Sequence, residues 1–339
     1  MRRNSLCALL VLCFALPAAG QSLEERLREV GNAYAAAYVA PLVDGLGANL
    51  NTGLFPAAHF GRRDSGLDLY LGVRAMAMPV SSDDDSFDLT YQGTANITVD
   101  LGPRTERLSL PATYIVEDAP AVFGDPDPGF ARVHVRQDTS ISHLGVLIPV
   151  SIDTTFDVET IGGLTDDLSL VPFAVVEAGV GTYFGTSVMV RWLPSIEVED
   201  VGSFGFIGFG LRHNLTQYLP QLPFELAVQG AWQRILVQDD ETDVLRVSAY
   251  AANVEMSKRF GPLTLFAGLQ TEEARIRAEY EAVSDDPDDP AFPIDLDLRS
   301  DWRTRLVLGA DVGAGPVHLF GDLNLGAGAV FSAGIGFAY

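Results

Sequence analysis

Apolar and polar residues alternate without a break from Phe87 to Asp100. The odd positions carry Phe, Leu, Tyr, Gly, Ala, Ile and Val, and the even positions carry Asp, Thr, Gln, Thr, Asn, Thr and Asp. This pattern places the apolar side chains on one face of a β-strand. The segment is longer than an ordinary strand of about five or six residues, and a strand that crosses a membrane needs about 9–11. It therefore predicts a strand of a transmembrane barrel, with lipid on one face and a polar lumen on the other.

Less regular alternation recurs in other parts of the chain. Three segments have mostly apolar residues at every second position: Leu67, Leu69, Leu71, Val73 and Ala75; Phe184, Thr186, Val188, Val190 and Trp192; and Thr304, Leu306, Leu308, Ala310 and Val312. The chain ends with Phe331, Ala333, Ile335, Phe337 and Tyr339 in the same pattern. In this aromatic ending it resembles bacterial outer-membrane barrels. The alternative is a soluble β-sandwich whose last strand ends in tyrosine.

Counted back from Tyr339, the pattern predicts fourteen strands. They cover residues 66–78, 87–100, 104–117, 130–138, 142–158, 170–181, 183–194, 202–213, 223–237, 244–260, 263–282, 302–313, 317–325 and 328–339. An even number closes an antiparallel barrel with both ends in the periplasm, and twelve or sixteen strands are the alternatives. The predicted fold class is all-β, a transmembrane antiparallel barrel of about 14 strands with an N-terminal helical segment.

The connections between these strands are of two kinds. Tight turns are predicted at Gly102-Pro103, Gly261-Pro262 and Gly315-Pro316, and longer acidic loops at 81–86, 118–129, 238–243 and 284–301. Outer-membrane barrels have short periplasmic turns and longer external loops. With Tyr339 in the periplasm, the fourteen-strand count places all three turns inside and all four acidic loops outside.

The first 65 residues predict a signal peptide and a separate segment before the barrel. Residues 1–20 combine Arg2 and Arg3, an apolar stretch and small residues before Gln21, which indicates export through a cleaved signal peptide that removes both cysteines. In residues 21–65, a capping box at Ser22 predicts a helix over 22–39 that stops at Pro41, followed by turns over 45–56.

The apolar face of that helix needs cover, which predicts a plug in the lumen of the barrel formed by 66–339, in preference to a periplasmic tail. The candidate residues of the plug or solute path are Tyr34, Tyr38, Asn49, Asn51 and Phe55.

Composition and residue spacing exclude several kinds of chemistry. A net charge of −23 argues against a nucleic-acid partner. The five histidines lack the spacing of a zinc site, and the adjacent Ser142 and His143 point to opposite faces of a strand, so we predict no enzyme and no cofactor. Acidic loops at 125–129 and 285–289 leave Ca²⁺ as a weaker alternative to solvated charge. His213 is predicted to have a role at the barrel rim.

Charged residues within predicted strands must avoid hydrocarbon, so we expect them to face the lumen. They are Arg132, Arg136, Glu177, Arg191, Glu225, Arg246 and Glu255. Mutual pairing that braces the wall is favoured over selective contact with a solute.

Two stretches carry a resemblance to known proteins. One runs from Leu27 to Phe60 and includes Leu50-Asn51-Thr52-Gly53, and the other runs from Phe204 to Trp232 and includes Gly208-Phe209-Gly210-Leu211-Arg212-His213-Asn214. They resemble an uncharacterised family of bacterial outer-membrane barrel proteins. The layout is loosely similar to long-chain fatty-acid transporters, although their Asn-Pro-Ala motif is absent here. The resemblance implies location and fold and assigns no activity.

Together these features predict an outer-membrane barrel that is a passive channel or transporter for a small solute, and the apolar, aromatic N-terminal helix suggests a hydrophobic one. The alternative is a structural or adhesive surface barrel whose acidic loops bind cations or a partner. Expected partners are outer-membrane lipid, the barrel-assembly machinery through the C-terminal strand, and an unidentified solute.

Overall fold

The computed structural model describes residues 23–54, 67–100, 105–143, 146–163, 169–182, 184–198, 202–239, 242–282 and 292–338. Within these ranges the chain forms one α-helix and fifteen strands. They are α1 (Leu23–Leu50), β1 (Leu67–Pro79), β2 (Ser86–Asp100), β3 (Thr105–Pro120), β4 (Phe130–His143), β5 (Val146–Glu159), β6 (Leu170–Thr182), β7 (Thr186–Val198), β8 (Gly202–Asn214), β9 (Glu225–Asp239), β10 (Thr242–Phe260), β11 (Leu263–Ala282), β12 (Phe292–Arg299), β13 (Thr304–Ala314), β14 (Val317–Leu325) and β15 (Ala329–Ala338).

Ten of these strands close into an antiparallel barrel. The order around the ring is β1, β6, β7, β8, β9, β10, β11, β13, β14 and β15, and β15 pairs again with β1. We call the end where β1 begins and β15 ends the turn end, because the Gly261-Pro262 and Gly315-Pro316 turns lie there. The opposite end, where β1 ends and β6 begins, is the loop end.

The prediction of fourteen barrel strands is wrong, because β2, β3, β4 and β5 form a separate four-stranded sheet. We call this sheet the extension. Its strands lie between β1 and β6 in the sequence, but β1 and β6 pair directly with each other from Leu67↔Thr182 to Pro79↔Leu170. The Gly102-Pro103 turn comes between β2 and β3 in the sequence, so the fourteen-strand count that placed it in the periplasm does not apply to it. Its residues lie outside the described ranges.

The sequence prediction also missed β12. This strand pairs with residues 275–282 of β11, beyond the part of β11 that pairs with β13. It adds a strand outside the ring at the loop end. The positions of the other strands are confirmed to within a few residues at most ends.

The outward face of the barrel is apolar and exposed. On β1, Leu69, Leu71 and Val73 are each about half exposed, whereas Tyr70 and Arg74 between them are buried. The predicted apolar faces of β7, β13 and β15 also point outward, as Val188, Leu308 and Phe337 show. Polar residues inside and apolar residues outside are the arrangement expected of a barrel that faces lipid.

Helix α1 continues past the predicted stop at Pro41 to Leu50. A proline inside a helix removes one hydrogen bond and costs about 3 kcal/mol, so surrounding contacts must offset this loss. Gly47 was predicted to lie in a turn, but it is a point of close approach inside the helix. A Cβ atom there would lie 2.8 Å from Cβ of Ala274 on β11 and 2.9 Å from Cβ of Ser300.

The two halves of α1 lie in different places. Tyr34 and Tyr38 pack with Phe87, Val122 and Ile161 of the segment that joins β1 to β6. Leu46 and Leu50 pack with residues of the barrel wall. The helix therefore enters the barrel from the loop end, and its C-terminal end lies within the ring.

Candidate functional site

The inward face of the barrel is lined by polar and charged side chains that are almost completely buried. They are Arg74, Glu177, Arg191, Arg212, Gln229, Gln233, Asn253, Glu255, Gln270, Glu272, Arg305, Asp311, His318, Asp322, Asn324 and Ser332. Period two places them between the outward apolar residues of the same strands. The predicted lumen positions of Glu177, Arg191 and Glu255 are thus confirmed.

The same prediction is wrong for three arginines. Arg132 and Arg136 lie on β4 of the extension, where they are exposed and face Asp157 and Asp153. Arg246 lies on the outward face of β10. Val247 and Ala249 are buried and face inward, and Arg246 and Ser248 alternate with them along the strand. The strand pattern alone did not distinguish the barrel from the extension, so it could not place these residues.

One ion-pair cluster joins β1, β6, β7 and β14 on the inward face of the wall. The Arg74 guanidinium lies 3.4 Å from Oε1 of Glu177 and 2.9 Å from Oδ2 of Asp322. Nε of Arg191 lies 3.3 Å from the other oxygen of Glu177, and the Tyr70 hydroxyl donates to Oε1 at 2.6 Å. Each buried carboxylate of this cluster therefore has a cationic partner.

Arg191 also holds the C-terminal end of α1. Its guanidinium donates to the carbonyl of Thr52 at 2.9 Å and to the carbonyls of Leu50 and Gly53. The side-chain amide of Gln233, on β9, donates to the same Leu50 carbonyl. Gly53 has a φ of 65°, which favours glycine, and turns the chain just after the helix.

A second guanidinium and a second amide reach the helix end from the other side of the ring. Arg305, on β13, donates to the Ala48 carbonyl at 3.1 Å and to Oγ1 of Thr52 at 2.5 Å, and pairs with Glu272. Gln270, on β11, donates to the Asn51 carbonyl at 2.9 Å. We call Arg191, Gln233, Gln270 and Arg305 the helix clamp.

The clamp answers a need of the helix itself. The last four carbonyls of an α-helix lack partners within it, and the helix dipole leaves partial negative charge there. The last turn of α1 contains no basic residue, so the barrel wall supplies the donors. At this level the guanidinium side chains are almost completely buried, because Arg74, Arg191 and Arg305 are 0%, 1% and 2% exposed.

Further polar groups lie away from the clamp. Arg212 on β8 pairs with Glu255 on β10 at 3.2 Å, and Nδ1 of His318 lies 2.9 Å from Oδ1 of Asp311. His213, predicted at the rim, lies near the turn end. There its ring contacts the hydroxyls of Thr186 and Tyr218.

The five residues predicted for the plug or solute path are divided among three places. Tyr34 and Tyr38 lie beyond the ring, where their hydroxyls donate to the carbonyls of Ile161 and Gly162 and burial raises the pKa of both phenols. Asn49 donates to the Val171 carbonyl at 2.7 Å, and Asn51 is held by Gln270. Phe55 lies outside the described residues. Whether any of them contacts a solute stays a prediction.

Sequence reasoning missed Arg74 and both amides of the clamp. Their signal was present, because Arg74, Gln233 and Gln270 are polar residues at positions flanked by apolar ones in predicted strands. What the sequence could not provide was the partner, because the carbonyls belong to a segment that was predicted to form turns. The side chains of Ser142 and His143 are outside the described parts of the structure.

The acidic loops show no built cation site where they are described. Oδ1 of Asp125 accepts the Asp127 backbone N–H at 2.8 Å, a local turn contact. No group of three or more potential metal-ligating side chains occurs among the residues with described placement. Likewise, no helix in the described part of the chain is long and apolar enough to span a bilayer. Ca²⁺ binding stays a prediction.

A family model matches the whole chain, residues 1–339, and its description is a family of unknown function, DUF6588. The chain belongs to this family. The predicted resemblance to an uncharacterised family is thereby confirmed. No curated protein matches the sequence.

The solved structures that match this chain are barrels, and their similarity to it is low in both sequence and structure. The β domain of the Bordetella autotransporter BrkA is 10% identical, with a TM-score of 0.29, and the match covers 80% of this chain and 99% of that one. OmpT, an outer-membrane protein of Vibrio cholerae, is 13% identical with a TM-score of 0.26, over 80% and 99% of the two chains. The transport unit of the Escherichia coli autotransporter AIDA-I is 12% identical with a TM-score of 0.26, over 88% and 98%. The barrel fold of this chain is established by its own strand pairing and not by these similarities.

Proposed function

We propose that this protein is an outer-membrane barrel that acts as a passive channel for a small polar solute and is held closed by α1. The outward apolar face fits a bilayer. The barrel strands are also long enough to cross it, since a transmembrane strand needs about 9–11 residues. The inward face offers carboxylates, guanidiniums and amides, which favour a polar solute over the hydrophobic one suggested by the sequence. The signal peptide predicted over residues 1–20 supports export.

The observation that carries this proposal is the helix clamp. Four wall side chains donate to carbonyl or hydroxyl oxygens of residues 48–53. These donors are buried, so leaving one unpaired costs about 1–3 kcal/mol, and more when it is charged. The closed state is therefore stabilised by specific bonds, and opening requires another set of acceptors, from water or from a solute.

A disulfide lock tests the role of the helix. Gly47→Cys with Ser300→Cys joins α1 to the segment after β12. Ala274→Gly is added, because a Cβ at Gly47 would otherwise lie 2.8 Å from Cβ of Ala274. The 2.9 Å separation from Cβ of Ser300 must widen by about 1 Å to reach the about 3.5–4.5 Å of a disulfide. The only native cysteines, Cys7 and Cys13, lie in the predicted signal peptide. In planar bilayers we expect the oxidised variant to stay closed and the reduced variant to open as often as the control Gly47→Cys/Ala274→Gly, which has the same packing changes and cannot form the disulfide.

Deletion of residues 22–60 provides the complementary measurement. We expect larger conductance than in the intact chain, because the lumen loses the helix end. An intact barrel, shown by resistance to detergent until boiling, with unchanged conductance would contradict the proposal. So would equal conductance of the locked and reduced proteins.

The extension supports a second candidate function, binding at the cell surface. Its exposed face carries Arg132, His134, Arg136, Asp153 and Asp157, which contact one another across β4 and β5. Hydrogen bonding to His134 lowers the pKa of Asp153, so this carboxylate stays charged in mild acid. Adhesion that is lost on replacing residues 81–168 with a short turn, and on adding a chelator, would favour this candidate over transport.

A further inference from the structure

Five arginines lie together on the outward face of the barrel near the loop end. They are Arg234 on β9, Arg246 on β10, Arg275 and Arg277 on β11, and Arg299 on β12. The chain has 22 basic residues and a net charge of −23, so such a group is exceptional within it. We call these five residues the arginine band.

Strand register aligns the band in two neighbouring rows. Arg234 and Arg275 both stand opposite Ser248, and Arg275 stands opposite Arg299. In the next row toward the loop end, Arg246 stands opposite Arg277. Register partners share a face, and adjacent strands are about 4.8 Å apart, so the band covers four strands over about 15 Å.

An aromatic row lies one step toward the turn end. It consists of Phe209, Trp232 and Tyr250, which are register partners on β8, β9 and β10. The rings of Phe209 and Trp232 stack with centroids 6.0 Å apart, and the Arg234 guanidinium lies 5.1 Å from the Trp232 ring. Aromatic residues in outer-membrane barrels mark the membrane–water interface, which places the arginine band at the level of lipid headgroups.

A groove of about 940 Å³ lies directly below the aromatic row. Its walls include the exposed apolar side chains Val254, Leu269, Leu306 and Leu325, with the small Ala252 between them. Its rim toward the loop end includes Arg303. Most of its lining residues face outward, and the inward residues that also line it, Gln229, Asn253, Gln270 and Arg305, are buried, so the groove opens to the outside of the barrel.

The acidic groups around the band do not cancel it. Asp297 pairs with Arg275 and lies 3.6 Å from Arg277, and Glu273 lies 3.6 Å from Arg299. Among the ion pairs of the described residues, two carboxylates thus contact three of the five guanidiniums. Further along the same strands, toward the loop end, the sequence has the acidic residues Glu279, Glu281 and Asp295.

We propose that the arginine band and the groove bind a phosphorylated glycolipid with several acyl chains, of the kind that forms the outer leaflet of the outer membrane. The guanidiniums bind phosphate oxygens through charge-assisted hydrogen bonds, and the acyl chains lie in the groove. The proposal rests on the membrane placement in the proposed function and is independent of channel activity.

The test uses the full chain in detergent with hexa-acylated lipid A carrying two phosphates as the probe. The variant Arg234→Gln/Arg246→Gln/Arg277→Gln keeps the Arg275–Asp297 and Arg299–Glu273 pairs. Arginine near an anionic membrane contributes roughly a fivefold effect per residue, so we expect the triple variant to lose at least about tenfold in affinity. The control Arg132→Gln/Arg136→Gln, on the extension, should bind as the native chain does.

Two further comparisons test which lipid binds and whether the groove takes part in binding. Dephosphorylated lipid A and phosphatidylglycerol should both bind more weakly than the two-phosphate lipid. Ala252→Phe, which fills the groove, should weaken binding, whereas Ala333→Phe on the outward face of β15 should not. Equal binding of the triple variant and the native chain, or of the phosphorylated and dephosphorylated lipids, would overturn the proposal.

Each variant must first be shown to migrate as a folded band before boiling. This control distinguishes loss of the lipid site from loss of the folded barrel. A variant that fails this check is replaced by its Arg→Lys counterpart, which keeps the charge and should retain most binding. If the chain has the expected conductance but no preference for lipid A, only the lipid-site proposal is contradicted. If the chain binds lipid A but shows no channel activity, only the channel proposal is contradicted.

Discussion

The barrel wall and the extension are built from strands with the same alternation but opposite surroundings. In the wall, Leu71 is 52% exposed and Arg74 is fully buried. In the extension, Val133 is fully buried and the side chain of Arg132 is 60% exposed. Alternation therefore shows that a strand has two different faces, but it does not show which face meets lipid, water or the interior.

The energetics of the two regions differ as well. A buried ion pair in the wall holds groups that water cannot reach, whereas the exposed pairs of the extension are screened by solvent. The same substitution should thus have very different effects in the two places. Three paired comparisons and one pH measurement test this difference, with the temperature at which the folded band is lost on an unboiled gel as the measure of stability.

The largest effect is expected for Arg74→Met. It leaves Glu177 and Asp322 buried with fewer cationic partners, and removing one member of a buried ion pair typically costs about 3–5 kcal/mol. The counterpart Arg132→Met breaks an exposed pair and should cost about 1 kcal/mol or less. Equal losses in the two variants would show that the lumen pairs are solvated.

The next effect concerns the outward face. Leu71→Arg puts a charge on the apolar surface of β1, which should destabilise the barrel by about 2–4 kcal/mol in a bilayer. Thr90→Arg, on the exposed polar face of β2, should change stability by about 0.5 kcal/mol or less. Measurement in lipid vesicles is essential here, and tolerance of Leu71→Arg would argue against lipid contact at this height.

A smaller effect is expected for the amides. Gln233→Leu removes the donor to the Leu50 carbonyl and should cost about 1–2 kcal/mol, because that acceptor is buried. Gln92→Leu removes an exposed hydrogen bond to Thr113 in the extension and should be close to neutral. If Gln233→Leu also raised channel opening, the clamp would be shown to control closure.

The smallest effect is a pH dependence at Asp44. Burial raises the pKa of this carboxyl, and the neighbouring Asp301 and Asp84 raise it further, despite hydrogen bonds from the Asp301 backbone and Ser300. The folded state therefore holds the proton more tightly than the unfolded state, so stability falls as pH rises from the unfolded value through the raised one. Asp44→Asn should remove this slope and add less than about 1 kcal/mol at neutral pH. An unchanged slope would assign the dependence to another group.

Much of the secondary structure could be predicted, because alternation and turn residues are local signals. Strands β8 and β11 were predicted almost to the residue. The closure of the ring could not be predicted in this way, since it depends on pairing of Pro79 with Leu170 across an insertion whose strands look equally suitable. Helix α1 was predicted too short because Pro41 and Gly47 signal an end in water, whereas inside the barrel the clamp and the close approach to Ala274 favour helix.

The candidate site was predicted in part for the same reason. Charged residues such as Glu177 and Arg191 are conspicuous in apolar strands, so their inward position followed from physics alone. Their partners did not, because backbone carbonyls leave no mark in a sequence. The arginine band was equally hidden, since its members are spread over four strands and become neighbours only through register.

The pairing of β1 with β15 has a consequence for the biogenesis of the protein. Tyr70 stands opposite Ala338, so the two ends of the strand series must meet before the ring is complete. Contacts this distant in sequence make folding slow. During that interval the ring is open, and the segment from Leu23 to Leu54, which is synthesised before any strand, can be enclosed as the wall forms around it. Assembly in this order would place the C-terminal end of α1 inside the ring before the ring is complete.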